Sequence, residues 1–414
     1  MVLAAAWLVS RAALVWLLLG PQSWVGGDVT YFEASLAVVD DVGLGRTLVE
    51  YPLPAVAVVA APWLLALVSG LPYAVLLLAA AAVTDLAWTV ALARASRGWL
   101  PALVWVAAVP LLGTTAYARF DLLPGVLAGA AVLYAATRPR VAGTLVAAAT
   151  AVKLWPAVLL PPLLALARPR RDAVVAVAVT GGLLAGLSLV LAGWDRLWSP
   201  LTYQAERGLQ VESVAATPAM LAWWLVPGRW DVAYAPSKAF EVTGPGVDVL
   251  LAVTTLAGVL YVTGLALASR RLWQVRDAVR PRTVVWWGLA AVTGFVVTGK
   301  VLSPQYLLWL LPLTAAGLVV ADSGPLRRWT ASLLLAAALT QVVFPTTYGA
   351  VTTGVGGPVW LPVVALAVRN VLMVQLLVVA GTQLWRALEA DRQRGSALAR
   401  QAPGPQAWGV RIRR

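Results

Sequence analysis

From Val2 to Trp385 the chain alternates long apolar runs, rich in Leu, Val and Ala, with short polar stretches, and the runs show no period-two alternation. A segment crossing lipid has to satisfy its own backbone hydrogen bonds, so runs of this length and pattern predict α-helices rather than barrel strands. Membrane helices are expected at 2–20, 73–93, 99–115, 122–137, 172–192, 248–268, 283–298, 306–320, 328–345 and 360–385. Residues 2–20 read as a first membrane helix rather than a removable signal, because further apolar runs follow and no small-residue cleavage site precedes them.

Three segments break the simple pattern. Residues 52–69 are apolar enough to cross, but a crossing there would place Arg94 and Arg97 on the wrong side, which predicts a re-entrant or interfacial element. Over 141–167, arginines flank both ends and Lys153-Leu154-Trp155-Pro156 interrupts the middle, where proline cannot continue the hydrogen-bond ladder. That predicts a hairpin of two half-length helices with Lys153 at its outer apex. Residues 214–227 are expected to dip in and return. Broken helices are tolerated at membrane depth only inside protein or beside a wet cavity, so an outward-facing cavity is expected. The fold class is an all-α polytopic membrane protein, a bundle of about 11–13 membrane helices with re-entrant or broken elements.

Composition agrees, with 61% hydrophobic and 12% charged residues. The net charge of +13 does not imply a nucleic-acid partner. The cations cluster between apolar runs, at Arg94/Arg97, Arg138/Arg140, Arg168/Arg170/Arg171, Arg270 to Arg282, Arg327/Arg328 and Arg386 onward, and so mark cytoplasmic loops. Both termini then fall inside a plasma-membrane protein. A membrane domain over 1–386, with an extracytoplasmic first loop at 21–51, is followed by a basic tail at 387–414, expected to be disordered on anionic headgroups.

Cysteine and histidine are both absent. This excludes thiolate nucleophiles, the usual zinc ligand sets and every triad with a histidine base, leaving carboxylates, Lys and Tyr for proton transfer. The first loop holds the most informative acid. Asp28, after Gly26-Gly27, lies near the outer interface, where it suits either the N-cap of a helix over 29–39 or a catalytic carboxylate. Glu33, Asp40 and Asp41 read as a solvated face, and Glu50 as a group that orients an acceptor hydroxyl or pairs with Arg46. Arg119, Lys153, Arg207 and Lys300 stand in apolar surroundings on the same predicted face, where an anionic phosphate is their natural common partner. Local pairs of Arg119 with Asp121 and of Arg207 with Glu206 are the competing reading. Arg11 and Asp85, at comparable depth in their helices, suit a buried structural pair. Trp24, Trp155 and Trp223/Trp224 are able to stack on a sugar, although most of the 21 tryptophans read as interfacial anchors.

At these residues the chain resembles glycosyltransferase family 87, the polyprenyl-phosphate-mannose-dependent mannosyltransferases of actinobacteria within the GT-C superfamily. Its landmarks, in order, are Gly27-Asp28-Val29-Thr30-Tyr31, Glu50-Tyr51-Pro52-Leu53-Pro54, Arg119-Phe120-Asp121-Leu122-Leu123-Pro124, Ala151 to Pro156, Arg207 to Ser213 and Gly299 to Tyr306. The resemblance implies a GT-C-like bundle, Asp28 as general base, and transfer of a sugar from a polyprenyl-phosphate donor to a glycolipid or glycan acceptor with inversion. On that reading Arg119, Lys153, Arg207 and Lys300 hold the donor phosphate, while Tyr31, Glu50, Tyr51, Asp121, Trp155, Gln210, Glu212 and Gln305 contact substrate. No metal or other cofactor is required, and a monomer is expected. Tyr51-Pro52-Leu53-Pro54 departs from the usual Tyr-Pro-Pro. The alternative is a polyprenyl-lipid binding or flipping protein that uses the same cations without chemistry.

Overall fold

The computed structural model describes residues 2–205, 207–354 and 357–401. Its elements are almost all helical. From the start, α1 (Val2–Leu19) leads through a 3-10 turn (Ser23–Gly26) into α2 (Gly27–Ala37), then α3 (Leu53–Ser69), α4 (Tyr73–Ala95), α5 (Leu100–Leu112), α6 (Leu122–Tyr134) and α7 (Pro139–Val152). A 3-10 turn (Trp155–Leu159) continues into α8 (Leu160–Leu166), followed by α9 (Arg170–Ala192), α10 (Asp195–Ala205) and α11 (Thr217–Leu225). After a hairpin of β1 (Asp231–Ala235) and β2 (Ala239–Thr243) come α12 (Val247–Gln274), α13 (Pro281–Thr298), α14 (Leu307–Val320), α15 (Gly324–Gln341) and α16 (Trp360–Gln401).

Six of the described helices are long and apolar enough to cross a membrane, and several shorter apolar ones accompany them, as an all-α polytopic membrane protein requires. Their burial differs widely. The short α14 is buried along nearly its whole length, whereas α9 and α12 expose Leu183, Leu187, Val190, Val249, Val253 and Leu256 to the surroundings. Small residues set the innermost approach. A Cβ on Gly125 of α6 would stand 2.1 Å from the Leu308 carbonyl oxygen, and one on Gly129 would stand 2.9 Å from that of Pro312, so these glycines let two backbones touch.

The expected half-helix hairpin over 141–167 is present. Helix α7 stops at Lys153, whose backbone is extended (φ −151°, ψ 129°), and the chain returns through the 3-10 turn and α8. Within residues 52–69, Leu53–Ser69 form one continuous helix, α3, capped by Pro52. The Tyr73 hydroxyl donates to the Val59 carbonyl at 3.2 Å, so α4 begins beside the middle of α3 and the second half of α3 presents Leu64, Leu67 and Val68 outward. Residues 214–227 supply the short α11, held by Met220 in a cluster with Leu209, Val211 and Val242.

The all-α class holds, with two details that the sequence did not show. The antiparallel pairing of Asp231 with Thr243 through Ala235 with Ala239 adds a β-hairpin to the otherwise helical fold; its strands are five residues each, too short for their alternation to stand out against the apolar runs. The break expected at 387 does not occur either, because α16 continues to Gln401. Its extension is anchored by Asp391, which is fully buried and accepts from Arg280 Nε at 2.8 Å and from the Thr283 hydroxyl. Residues 402–414 of the tail lie outside the described residues.

The expected Arg11–Asp85 pair forms, buried between α1 and α4. Arg11 Nε lies 2.7 Å from Asp85 Oδ2, Trp105 Nε1 donates to Oδ1 at 2.6 Å, and the Tyr117 hydroxyl donates to Oδ2 at 2.7 Å. Asp85→Asn leaves the buried guanidinium without its counter-charge and is expected to cost about 3–5 kcal/mol, read as a lower Tm in detergent. Adding Arg11→Met removes the second charge while the amide still accepts from Trp105 and Tyr117, so the double variant should melt above Asp85→Asn alone. Equal melting of the two would break this account.

Candidate active site

Asp28 stands in the first turn of α2, whose N-cap is Gly26 with no side-chain cap bond. The helix therefore starts two residues earlier than the sequence suggested. Asp28 is not the cap and its carboxylate faces Arg119 instead, with Oδ1 3.0 Å from Nη1. The first-turn position favours the negative charge through the helix dipole. Burial nevertheless raises the Asp28 pKa above the ordinary carboxylate value; Arg119 and Lys153 act against this rise, while Asp121 and Glu50 add to it.

Arg119 and Asp121 do not pair with each other. Asp121, fully buried at the N-terminus of α6, takes Lys153 Nζ at 2.5 Å and Trp309 Nε1 at 2.7 Å on Oδ1. The break at the α7–α8 apex is what brings Lys153 here. Its ammonium sits 4.9 Å from the Phe120 ring centre, 5.3 Å from Trp309 and 5.8 Å from Tyr51, a cation held in an aromatic box. Trp309 is stacked on one side by Tyr306 at 4.0 Å and also by Trp155 at 5.3 Å. Trp155 is buried and braces Trp309.

A second cationic group borders the first. The isolated bridge between Gln210 and Glu241, together with the Gln210 N–H donating to the Lys300 carbonyl at 3.0 Å, ties the Lys300 loop to the hairpin. Arg207 donates to the Ser237 carbonyl at 3.0 Å, and its charge reaches both Lys300 and Tyr306. Burial, with Arg207 nearby, lowers the Lys300 pKa against the opposing pull of Glu241. The pairing of Arg207 with Glu206 lies outside the described residues. Gln305 is half-buried in the following turn, where its side-chain oxygen accepts from the Ser303 hydroxyl.

Glu50 accepts from the Tyr31 hydroxyl at 2.6 Å and lies 3.3 Å from Lys238 Nζ rather than pairing with Arg46. Lys238, at the left-handed position (φ 60°) of the hairpin turn, also donates to the Tyr31 hydroxyl at 2.5 Å. In the sequence it looks like an ordinary solvated turn lysine.

Two of the expected substrate contacts are buried against internal partners. The Gln210 side-chain oxygen is buried and accepts from the Leu302 N–H at 2.7 Å. Glu212 is fully buried, 3.5 Å from Arg369 Nη1, and burial pushes its pKa up to about 7 despite the arginine. Arg196, which sequence reasoning passed over, is buried and donates to the carbonyls of Thr47, Leu48, Val49 and Tyr51. One fork thus shapes the loop that carries Glu50 and Tyr51; the only signal for it is a cation flanked by tryptophans in Trp194-Asp195-Arg196-Leu197-Trp198. Among the described residues no group of three or more acidic side chains is arranged to hold a metal ion.

The architecture is that of a polytopic membrane protein with an acidic and cationic site at one end of the bundle. A family model described as glycosyltransferase family 87 matches residues 48–304, and the chain belongs to that family: it is a membrane glycosyltransferase. The match includes Arg119, Asp121, Lys153, Arg207 and Lys300 and begins after Asp28. No curated protein and no solved structure matches the chain.

Arg196→Ala removes the donors from four buried or half-buried carbonyls. Amide exchange in residues 47–52 should quicken by about tenfold or more, while exchange in α4 stays unchanged, as mass spectrometry of the detergent-purified protein will read. Uniform quickening throughout the bundle would instead mean a global loss of stability.

Proposed function

We propose that the chain transfers a sugar, mannose on the family's pattern, from a polyprenyl-phosphate donor to a glycolipid or glycan acceptor at the extracytoplasmic face. The observation that carries the reading is Asp28: a carboxylate beside Arg119, with a pKa raised by burial, among the charges of Asp121, Lys153 and Glu50. A base works best when its pKa approaches the operating pH. The extracytoplasmic assignment is supported by the arginines at the other end of the bundle, Arg168, Arg170, Arg276 and Arg280 among them, since such clusters favour the cytoplasmic side.

In the proposed reaction Asp28 takes the proton of an acceptor hydroxyl, whose oxygen forms a bond to the anomeric carbon. The bond from that carbon to the phosphate oxygen breaks, and its electron pair leaves with the polyprenyl phosphate. Attack opposite to the leaving group inverts a β-linked donor to an α-glycoside. The departing phosphate gains negative charge, which Arg119, Lys153, Arg207 and Lys300 are suited to stabilise, the arginines as planar forks and the lysines as point charges. Tyr31, Glu50, Tyr51 and Gln305 are the groups proposed to contact the sugar or the acceptor. Asp121 acts as the counter-charge that positions Lys153.

Asp28→Asn keeps the shape of the side chain and removes the base. Transfer from a radiolabelled polyprenyl-phosphate sugar should fall by about 100- to 10,000-fold while donor binding is retained; undiminished turnover would exclude Asp28 as base and favour a protein that only binds or moves the lipid. A pH profile gives a separate check. Asp28 acts ionised, so kcat/KM should decline as pH falls through its raised pKa, with a midpoint above the ordinary carboxylate range. Arg119 opposes the rise, so Arg119→Gln should shift that acidic limb further toward high pH.

A further inference from the structure

A groove of about 940 Å³ opens between α12, α13 and α16, away from Asp28. Its lining is mostly apolar and includes Leu260, Leu267, Leu377 and Leu384, with Gly264 and Gly381 between them. The polar atoms within it are already spent: the Tyr261 hydroxyl donates to the Ala291 carbonyl at 2.8 Å and the Thr298 hydroxyl to Gly294 at 2.8 Å. The end opposite the active site is different. There the groove is bordered by Arg270, Arg271 and Gln274, all exposed. Neither arginine forms an ion pair with an acidic residue among the described residues, and Arg271 is instead held over the Trp385 ring at 3.7 Å.

An apolar slot ending in paired cations matches a molecule with hydrocarbon chains and an anionic head. We propose that this groove is a binding site for an anionic phospholipid, with its acyl chains against the leucines and its phosphate at Arg270 and Arg271. Charge complementarity selects the anionic headgroup. An aromatic ring under Arg271 orients the guanidinium and leaves its N–H edge for phosphate oxygens. A lipid seated here also covers the face of α12 that packs only loosely on its neighbours and so fastens that helix to α13 and α16. The site is separate from the sugar-transfer chemistry, and its test reads lipid retention rather than turnover.

The test uses the full chain purified in detergent, with bound lipids identified by native mass spectrometry after incubation with phosphatidylglycerol or phosphatidylcholine. Three variants separate the causes. Arg270→Gln with Arg271→Gln removes the head site. Gly264→Leu with Gly381→Leu fills the slot; a Cβ at either glycine meets nothing within 4 Å, and a better helix former replaces glycine, so folding is preserved. Arg94→Gln with Arg97→Gln removes the same charge from exposed positions outside the groove. The wild type and the Arg94/Arg97 variant should retain phosphatidylglycerol in preference to phosphatidylcholine. The arginine pair variant should bind it about 30-fold more weakly, given the attraction of two cations near a membrane surface, and the leucine variant should lose it. Equal retention by all four proteins, equal loss in the Arg94/Arg97 control, no preference between the two lipids, or recovery of polyprenyl phosphate in place of the phospholipid would each overturn the proposal.

Discussion

A charge in a low-dielectric interior has to be met by opposite charge or by hydrogen bonds, and the meeting of Asp28 with Arg119 builds on how Asp85 meets that demand. Its two oxygens take Arg11, Trp105 and Tyr117, so α1, α4, α5 and the segment entering α6 converge on one carboxylate. Nine residues beyond the end of α1 comes Asp28, and two beyond Tyr117 comes Arg119. Fixing the two roots fixes the two tips, and the 3.0 Å contact between Asp28 and Arg119 results.

The same rule operates at the site with a different outcome. The Arg11 guanidinium is saturated and inaccessible, whereas Asp28 and Arg119 are partly exposed and paired by a single contact. Lys153 stands between these cases, neutralised by Asp121 and boxed by rings, yet not fully buried. A cation held this way is pre-positioned, and it loses little by turning toward a second anion. Burial also raises the Asp28 pKa above that of a solvated carboxylate, in a protein that has no histidine.

The short α14 is buried while the long α9 and α12 line the outside, and proline breaks near the buried part place side chains at the site. Pro156 ends the helical ladder beside Lys153, and Pro304 opens the turn that carries Tyr306 and Trp309 toward the site. Such irregular backbone is stable only when protein surrounds it. The perimeter helices supply that surround, and the loosely packed α12 leaves the apolar slot that faces lipid.

The amino-acid sequence by itself determined the membrane class, most helix positions, the hairpin apex at Lys153 and the Arg11–Asp85 pair, because apolar run length, proline and intramembrane charge act locally or at a shared depth. It also singled out Asp28 and the four cations as unusual in their surroundings. Only the tertiary structure decided which charges meet. Arg119 chooses Asp28 over its near neighbour Asp121, Lys153 takes Asp121 across 32 residues, Glu50 takes Lys238 instead of Arg46, and Glu212 sinks beneath Arg369. The physical reason is that an ion pair depends on distance and desolvation in three dimensions, and neither is encoded in spacing along the chain. The same holds for the reach of α16 to Gln401: its basic composition suggests a solvated tail, but one buried carboxylate, Asp391, holds it to Arg280 and Thr283.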